Sequence, residues 1–221
     1  MKTVSVIIPC YNYGHWLPEA IESALSQTHK PHEVIVVNDG STDNTGEVVR
    51  RFPDVKCIYQ DNKGLPAARN TGIKAAKSEW IVPLDADDTL EPAFIERCLK
   101  EKADIVSCSM HMFGEKIADC HLDMRHPTHH DFIKSNRCLC VALYRKKMWE
   151  RIGGYDEKMV LGYEDWEFWI RATAAGYTVT VLDEMLFNYR KHGESLVTVS
   201  KRNHLDIKKY IDSKHPKGGL K

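Results

Sequence analysis

The stretch VSVIIPCYNYGHWLPEAIESALSQTHKPHEVIVVNDG, residues 4–40, decides the fold. Residues 4–8 are a short apolar run rich in β-branched side chains and stopped by Pro9; residues 33–37 are a second, stopped by Asn38-Asp39-Gly40. Runs that are apolar almost throughout, rather than alternating, suit parallel strands buried on both faces. Between them Leu17, Ala20, Ile21, Ala24 and Leu25 fall at i, i+3, i+4, i+7 and i+8, one face of a helix. The unit is strand, helix, strand, and such a crossover builds a parallel sheet.

The same alternation continues outward. Residues 57–59 and 80–84 give two more strand candidates, separated by a helix over 65–77 that Pro66 opens. The expected class is therefore α/β, a mostly parallel central sheet with helices on both faces. After residue 90 the spacing predicts a helix over 91–102 and a strand over 104–109. A stretch from 110 to 133 follows with little periodicity and much His, Asp, Met and Gly. Beyond it come a strand over 137–145, a helix over 147–152, a Gly153-Gly154 turn, a helix over 163–175, and strands over 178–182 and 186–190.

With 221 residues the chain has enough length for one large domain. Lys plus Arg and Asp plus Glu are each 31, which argues against a chain that coats nucleic acid by bulk charge. The charge is uneven: residues 201–221 hold seven Lys/Arg against two Asp, a basic segment with weak helical periodicity, read either as a solvated helix or as a contact with an anionic surface. No apolar run approaches the roughly 18 residues of a membrane span, and residues 1–9 lack a basic segment followed by a secretory core; the expected address is cytoplasmic. The seven cysteines are an odd, scattered set read as reduced thiols; Cys138 and Cys140, two strand rises or ~6.5 Å apart, would bridge poorly.

In open α/β sheets ligands bind beyond the carboxyl ends of the parallel strands. Those ends carry Pro9, Cys10, Tyr11 and Asn12, then Asn38, Asp39, Gly40, Ser41 and Asp43, then Asp85, Ala86, Asp87 and Asp88: an acidic, hydrogen-bonding edge. Three aspartates within four positions repel one another unless a cation sits among them, and Mg²⁺ or a similar hard ion uses one or two carboxylates while leaving positions for phosphates. The other reading is an acidic turn in which Asp88 or Thr89 caps the following helix. Arg69 stands in the first turn of its predicted helix, where a cation opposes the macrodipole, so it needs an anion, either a nearby Asp or a phosphate. On the helix over 163–175, Glu164, Glu167 and Arg171 form a polar stripe, whereas Asp165 falls between Phe168 and Trp169. That carboxylate either compensates the dipole or sits in a cleft where its pKa rises toward that of a general base. Trp166 and Trp169 could stack on sugar rings or fill the core.

Five segments together, 4–12 (VSVIIPCYN), 37–43 (VNDGSTD), 64–70 (GLPAARN), 84–88 (LDADD) and 162–168 (GYEDWEF), resemble in order and approximate spacing the family 2 glycosyltransferases of the GT-A fold. The resemblance covers roughly residues 3–195. It implies a Rossmann-like nucleotide-binding core at 1–90, an acceptor and catalytic half at 91–200, and the basic segment 201–221 as an appended helix or tail. It implies inverting transfer of a sugar from a nucleotide diphosphate donor, with uridine as the base, to a glycan or lipid-linked glycan acceptor. Pro9 and Tyr11 would line the base pocket, Asp39 would hydrogen-bond the base, Arg69 would border the nucleotide and Asp85 would hold the ribose, with Asn12, Gly64 and Ala86 in the same donor-nucleotide site. Asp87 would bind Mn²⁺ or Mg²⁺ with His192 approaching it; Asp165 would be the catalytic base, with Glu164, Trp166 and Trp169 beside it on the acceptor side. Asn38 departs from the pattern, which usually has Asp there. Two alternatives are a transferase acting on a hydroxylated base in viral DNA, less favoured than a glycan, and a nucleotide-sugar-binding protein without catalysis. A zinc site built from Cys120, His121, His126, His129 and His130 is a further reading, although the spacing matches no closed site. Peripheral membrane contact through the basic C-terminus would suit a lipid-linked acceptor.

Overall fold

The computed structural model describes residues 2–122, 124–193 and 195–215. Strands β1 (Val4–Cys10) and β2 (Glu33–Asp39) pair in parallel, Val6 opposite Val34 and Ile8 opposite Val36, with α1 (Leu17–Leu25) crossing between them. Strand β3 (Val55–Gln60) lies parallel beyond β2, preceded by the short helix α2 (Thr45–Val49). On the other side of β1 lies β4 (Trp80–Pro83), reached through α3 (Leu65–Ala75). The order β3-β2-β1-β4 is thus the parallel sheet expected of 4–84.

The second half is mixed rather than mostly parallel. It comprises β5 (Thr89–Leu90), α4 (Phe94–Lys100), β6 (Ile105–Gly114), β7 (Ala118–Cys120), α5 (His129–Lys134), β8 (Leu143–Arg145), α6 (Lys146–Ile152), α7 (Glu164–Ala174), β9 (Val179–Lys191), α8 (Leu196–Arg202) and α9 (His204–Lys214). Strand β8 joins β4 to β6 with antiparallel pairing on both sides. Strand β9 then pairs parallel to β6 and antiparallel to β5, and β7 folds back on β6. Of the basic segment at 201–221, residues 216–221 lie outside the described residues.

Alternate side chains of β1 feed two cores. Val4, Val6 and Ile8 pack with α1, α2 and α4 on one face, and Ile7 packs with α3, α6 and α7 on the other, so helices cover both faces. Helix α3 approaches the sheet at Gly72, where a Cβ would fall 2.4 Å from Ile7 Cγ2.

Two elements depart from the expected spans for visible reasons. The strand expected over 137–145 is reduced to Leu143–Arg145, because Ser107 Oγ donates to Val141 O at 3.1 Å and accepts from Leu139 N at 3.3 Å. That side chain satisfies backbone groups a ladder would have used. The strands expected over 178–182 and 186–190 are one continuous β9: Asp183 and Glu184 turn outward at a register shift and bond to His121 and Arg97.

Candidate active-site cleft

The ends of β1, β2 and β4, the start of α3 and the start of α7 open onto one cleft of about 450 Å³. Pro9, Tyr11, Asp39, Gly64, Arg69, Asp85, Ala86, Asp87, Glu164 and Asp165 all line it. The acidic turn after β4 and the carboxylate on α7, some 80 positions apart in the chain, therefore face a common space.

On the wall of the cleft, Tyr11 is 47% exposed, its ring free to stack. Asp39 is buried and accepts from Gln60 Nε2 at 2.7 Å and from the N–H groups of Lys63 and Gly64 at 2.9 Å, which fixes the 61–64 loop. Gly64 is in the left-handed region at φ 87°, and a Cβ there would press on Val160. Asn12 does not line the cleft. Its Oδ1 accepts from Thr42 N at 2.8 Å and its N–H donates to Ser41 Oγ at 3.0 Å, so it orders the loop after β2, where Asn38 Oδ1 also accepts from Ser41 N.

Arg69 takes its anions from the protein. The guanidinium is 1% exposed, bonds Asp85 Oδ1 at 2.7 Å through Nη2 and bonds Glu164 through Nη1. It borders the cleft as a strut between two carboxylates, so the ion-pair alternative holds. Cys140, partly buried, reaches Asp85 Oδ2 at 3.7 Å as a weak donor.

Asp87 is pushed up from the ordinary carboxylate range by burial and by the charge of Asp85, with His192 opposing; its Oδ2 lies 2.9 Å from His192 Nε2. His192 is held edge-on by Tyr13 and tilted against Trp16. Asp88 caps no helix. It is 1% exposed and accepts from Arg190 N at 2.8 Å, and burial and its two acidic neighbours push it well up. Crowded carboxylates raised by burial and then by mutual repulsion fit a hard divalent ion, and Asp87 with His192 are the residues that would hold it. Among the described residues no group of three or more such side chains is placed to ligate one ion, so water or the oxygens of a bound ligand would complete the shell.

Asp165 is the second residue of α7, whose N-cap Tyr163 sits in the left-handed region at φ 59° behind Gly162 at φ 107°. Burial first, and the neighbouring Glu164 second, push Asp165 up to about 7, against the opposing charge of Arg69 and bonds from Trp166 N at 2.7 Å and Asn136 Nδ2 at 2.9 Å. A carboxylate poised there can accept a proton near neutral pH.

The two tryptophans are corrections. Trp169 is fully buried and Trp166 is 5% exposed, its Nε1–H donating to Phe132 O at 2.7 Å; neither lines the cleft, and both belong to the core beneath α7. The histidine-rich stretch gathers no zinc site among the described residues. His111 bonds Asp119, His121 bonds Asp183, and His126 and His129 meet Thr180 and Thr173. Sequence reading missed Asn136, Cys140 and Tyr13 as cleft residues: Asn136 lies between the expected elements, Cys140 falls in the strand expected over 137–145, and no spacing signal marks them as part of the site.

The family model described as Glycosyl transferase family 2 matches residues 5–165. A Bacillus subtilis strain 168 protein named Uncharacterized glycosyltransferase EpsJ is 31% identical over 92% of this chain and 65% of its own length. The hyaluronan synthase of Pasteurella multocida is 29% identical over 92% of this chain and 22% of its own. This chain thus spans less than two thirds of either relative. Among solved structures, S. aureus TarS 1–349 in complex with UDP-GlcNAc superposes with a TM-score of 0.76 at 22% identity, covering 100% of this chain and 68% of that one. The likeness shows a shared α/β fold.

Proposed function

The chain belongs to glycosyl transferase family 2, and from that premise we propose that it moves a sugar, with inversion, from a nucleotide diphosphate sugar to an acceptor hydroxyl. The observation that carries this reading is that Asp87 and Asp165 line one cleft, tied through the Asp85–Arg69–Glu164 pairs. TarS was solved with UDP and with UDP-GlcNAc, which supports a uridine donor here by likeness.

In this reading Pro9 and Tyr11 bound the base, Asp39 and Gly64 shape its pocket, and Asp85 and Ala86 adjoin the ribose. Asp87 and His192 would hold Mn²⁺ or Mg²⁺, which would offset charge on the leaving diphosphate. An acceptor hydroxyl is a weak nucleophile at neutral pH. Asp165 takes its proton as oxygen attacks the anomeric carbon from the face opposite the diphosphate, which inverts that centre. Residues 1–90 then supply the donor site, and residues 91–200 the base and the acceptor side.

The proposed acceptor is a glycan or lipid-linked glycan, and the proposed setting is the cytoplasm at a membrane surface. Exposed Lys201 and Lys209 on α8 and α9 support a peripheral contact, while no helix among the described residues is long and apolar enough to cross a membrane. Donor hydrolysis and binding tested across UDP-, GDP- and dTDP-sugars, with Mn²⁺ and after chelation, check the proposal. Metal-dependent release of UDP is expected, and failure to bind any nucleotide sugar would overturn it.

A further inference from the structure

Asn136 is exposed on the cleft wall, outside every regular element. Its Nδ2 donates to Asp165 Oδ2 at 2.9 Å, and its Oδ1 accepts the backbone N–H of Cys138 at 3.3 Å. The second bond fixes the orientation of the amide. Only the oxygen can receive an N–H, so the nitrogen is the atom left for the carboxylate, which when ionised only accepts.

The segment that delivers Asn136 is anchored separately. Thr128 and Asp131 close a reciprocal capping box at the start of α5, and Phe132 is fully buried. The carbonyl of Phe132 accepts Trp166 Nε1–H at 2.7 Å, which clips α5 to α7 one residue past Asp165. Trp166, buried and outside the cleft lining, thus helps to fix the segment that places Asn136 beside Asp165. The other oxygen of Asp165, Oδ1, takes Trp166 N–H at 2.7 Å, so each oxygen has one protein donor and keeps capacity for another.

We propose that Asn136 is the positioning residue for Asp165, its amide holding Oδ2 so that the carboxylate presents its remaining lone pairs to the acceptor hydroxyl. This rests on the proposed function above, in which Asp165 is the base. A hydrogen bond donated to a carboxylate also favours its charged form, so Asn136 keeps the base from rising further out of range.

The test is kcat as a function of pH for wild type, Asn136→Ala, Asn136→Asp and Asp165→Asn, with donor affinity by calorimetry for each. Asn136→Ala is expected to bind donor within about twofold of wild type, to lose about tenfold in kcat at pH 7, and to move the acidic limb up by about one unit. Asn136→Asp should move the limb further in the same direction, because a like charge replaces a donor. An Asn136→Ala enzyme with wild-type kcat and an unmoved limb, beside an inactive Asp165→Asn, overturns this proposal alone. Loss of donor affinity matching the loss of kcat also overturns it, as the mark of a collapsed wall. Wild-type turnover by Asp165→Asn removes the base assignment and the positioning role with it.

Discussion

The Arg69 guanidinium is bonded to Glu164, the residue immediately before Asp165, while its other terminal nitrogen donates to Asp85 at 2.7 Å. One cation, wholly out of water, therefore ties the turn after β4 to the first residue of α7. Removing one member of a buried pair leaves charge unpaired in a low-dielectric site, and Arg69→Met would leave Glu164 buried, and Asp85 partly exposed, without their cation. We expect a loss of about 3–5 kcal/mol in denaturant unfolding. Arg69→Lys should fall between that variant and wild type, because a point charge cannot fork to both partners.

Asp87 and His192 give the metal prediction. Chelation should abolish transfer, and either Mn²⁺ or Mg²⁺ should restore it. Asp87→Asn should lose ~10² or more in kcat, since it removes a charged ligand beside the departing diphosphate. His192→Gln should weaken metal affinity by about tenfold and leave unfolding little changed, because the ring is only partly enclosed. Full activity of Asp87→Asn in metal-free buffer would remove this assignment.

Trp169 separates core from acceptor contact. It is wholly buried and its indole N–H has no partner among the described residues, so Trp169→Phe sacrifices none of the described hydrogen bonds and should cost less than about 1.5 kcal/mol. Trp169→Ala should cost about 3–5 kcal/mol. The acceptor KM of Trp169→Phe should match wild type; a clear rise would restore the stacking role.

Glu167 gives a pH-dependent stability. Its side chain is fully buried on α7, and burial acts to raise it, but His215 at 3.0 Å, Arg171 at 2.8 Å and Lys214 at 2.7 Å prevail and hold it down at about 2. A carboxyl depressed in the folded state contributes stability above its unfolded pKa, near 4.5, and loses it as pH falls toward 2. The contribution is about 3 kcal/mol. Urea unfolding of Glu167→Gln should show a flatter slope than wild type between pH 4.5 and 2. Equal slopes would mean that the clamp between α7 and α9 contributes nothing.

What could be read from the chain followed from local physics. The β-branched runs at 4–8 and 33–37 and the helical face of Leu17, Ala20, Ile21 and Ala24 give the parallel half directly, because strand and helix periods need no distant partner. The acidic turn and the misplaced Asp165 were visible as charges in the wrong surroundings. Less visible was whatever depends on residues far apart. Arg69 finds Glu164 across 95 positions, Ser107 replaces a ladder at 139 and 141, and Asn136 meets Asp165 from a segment that Trp166 helps to hold through Phe132. Trp169 shows a second limit: helical spacing places an aromatic on a face without saying whether that face meets core or ligand.

The most direct measurement of the central claim, that Asp165 is the base serving a donor held at Asp87, is kcat against pH at saturating donor for wild type and Asp165→Asn. A base held at about 7 must be ionised to act, so the wild-type rate should climb through pH 7 to a plateau. Asp165→Asn should bind donor normally yet run ~10² or more below wild type at every pH. Wild-type turnover in that variant, with the same climb through neutrality, would contradict the account.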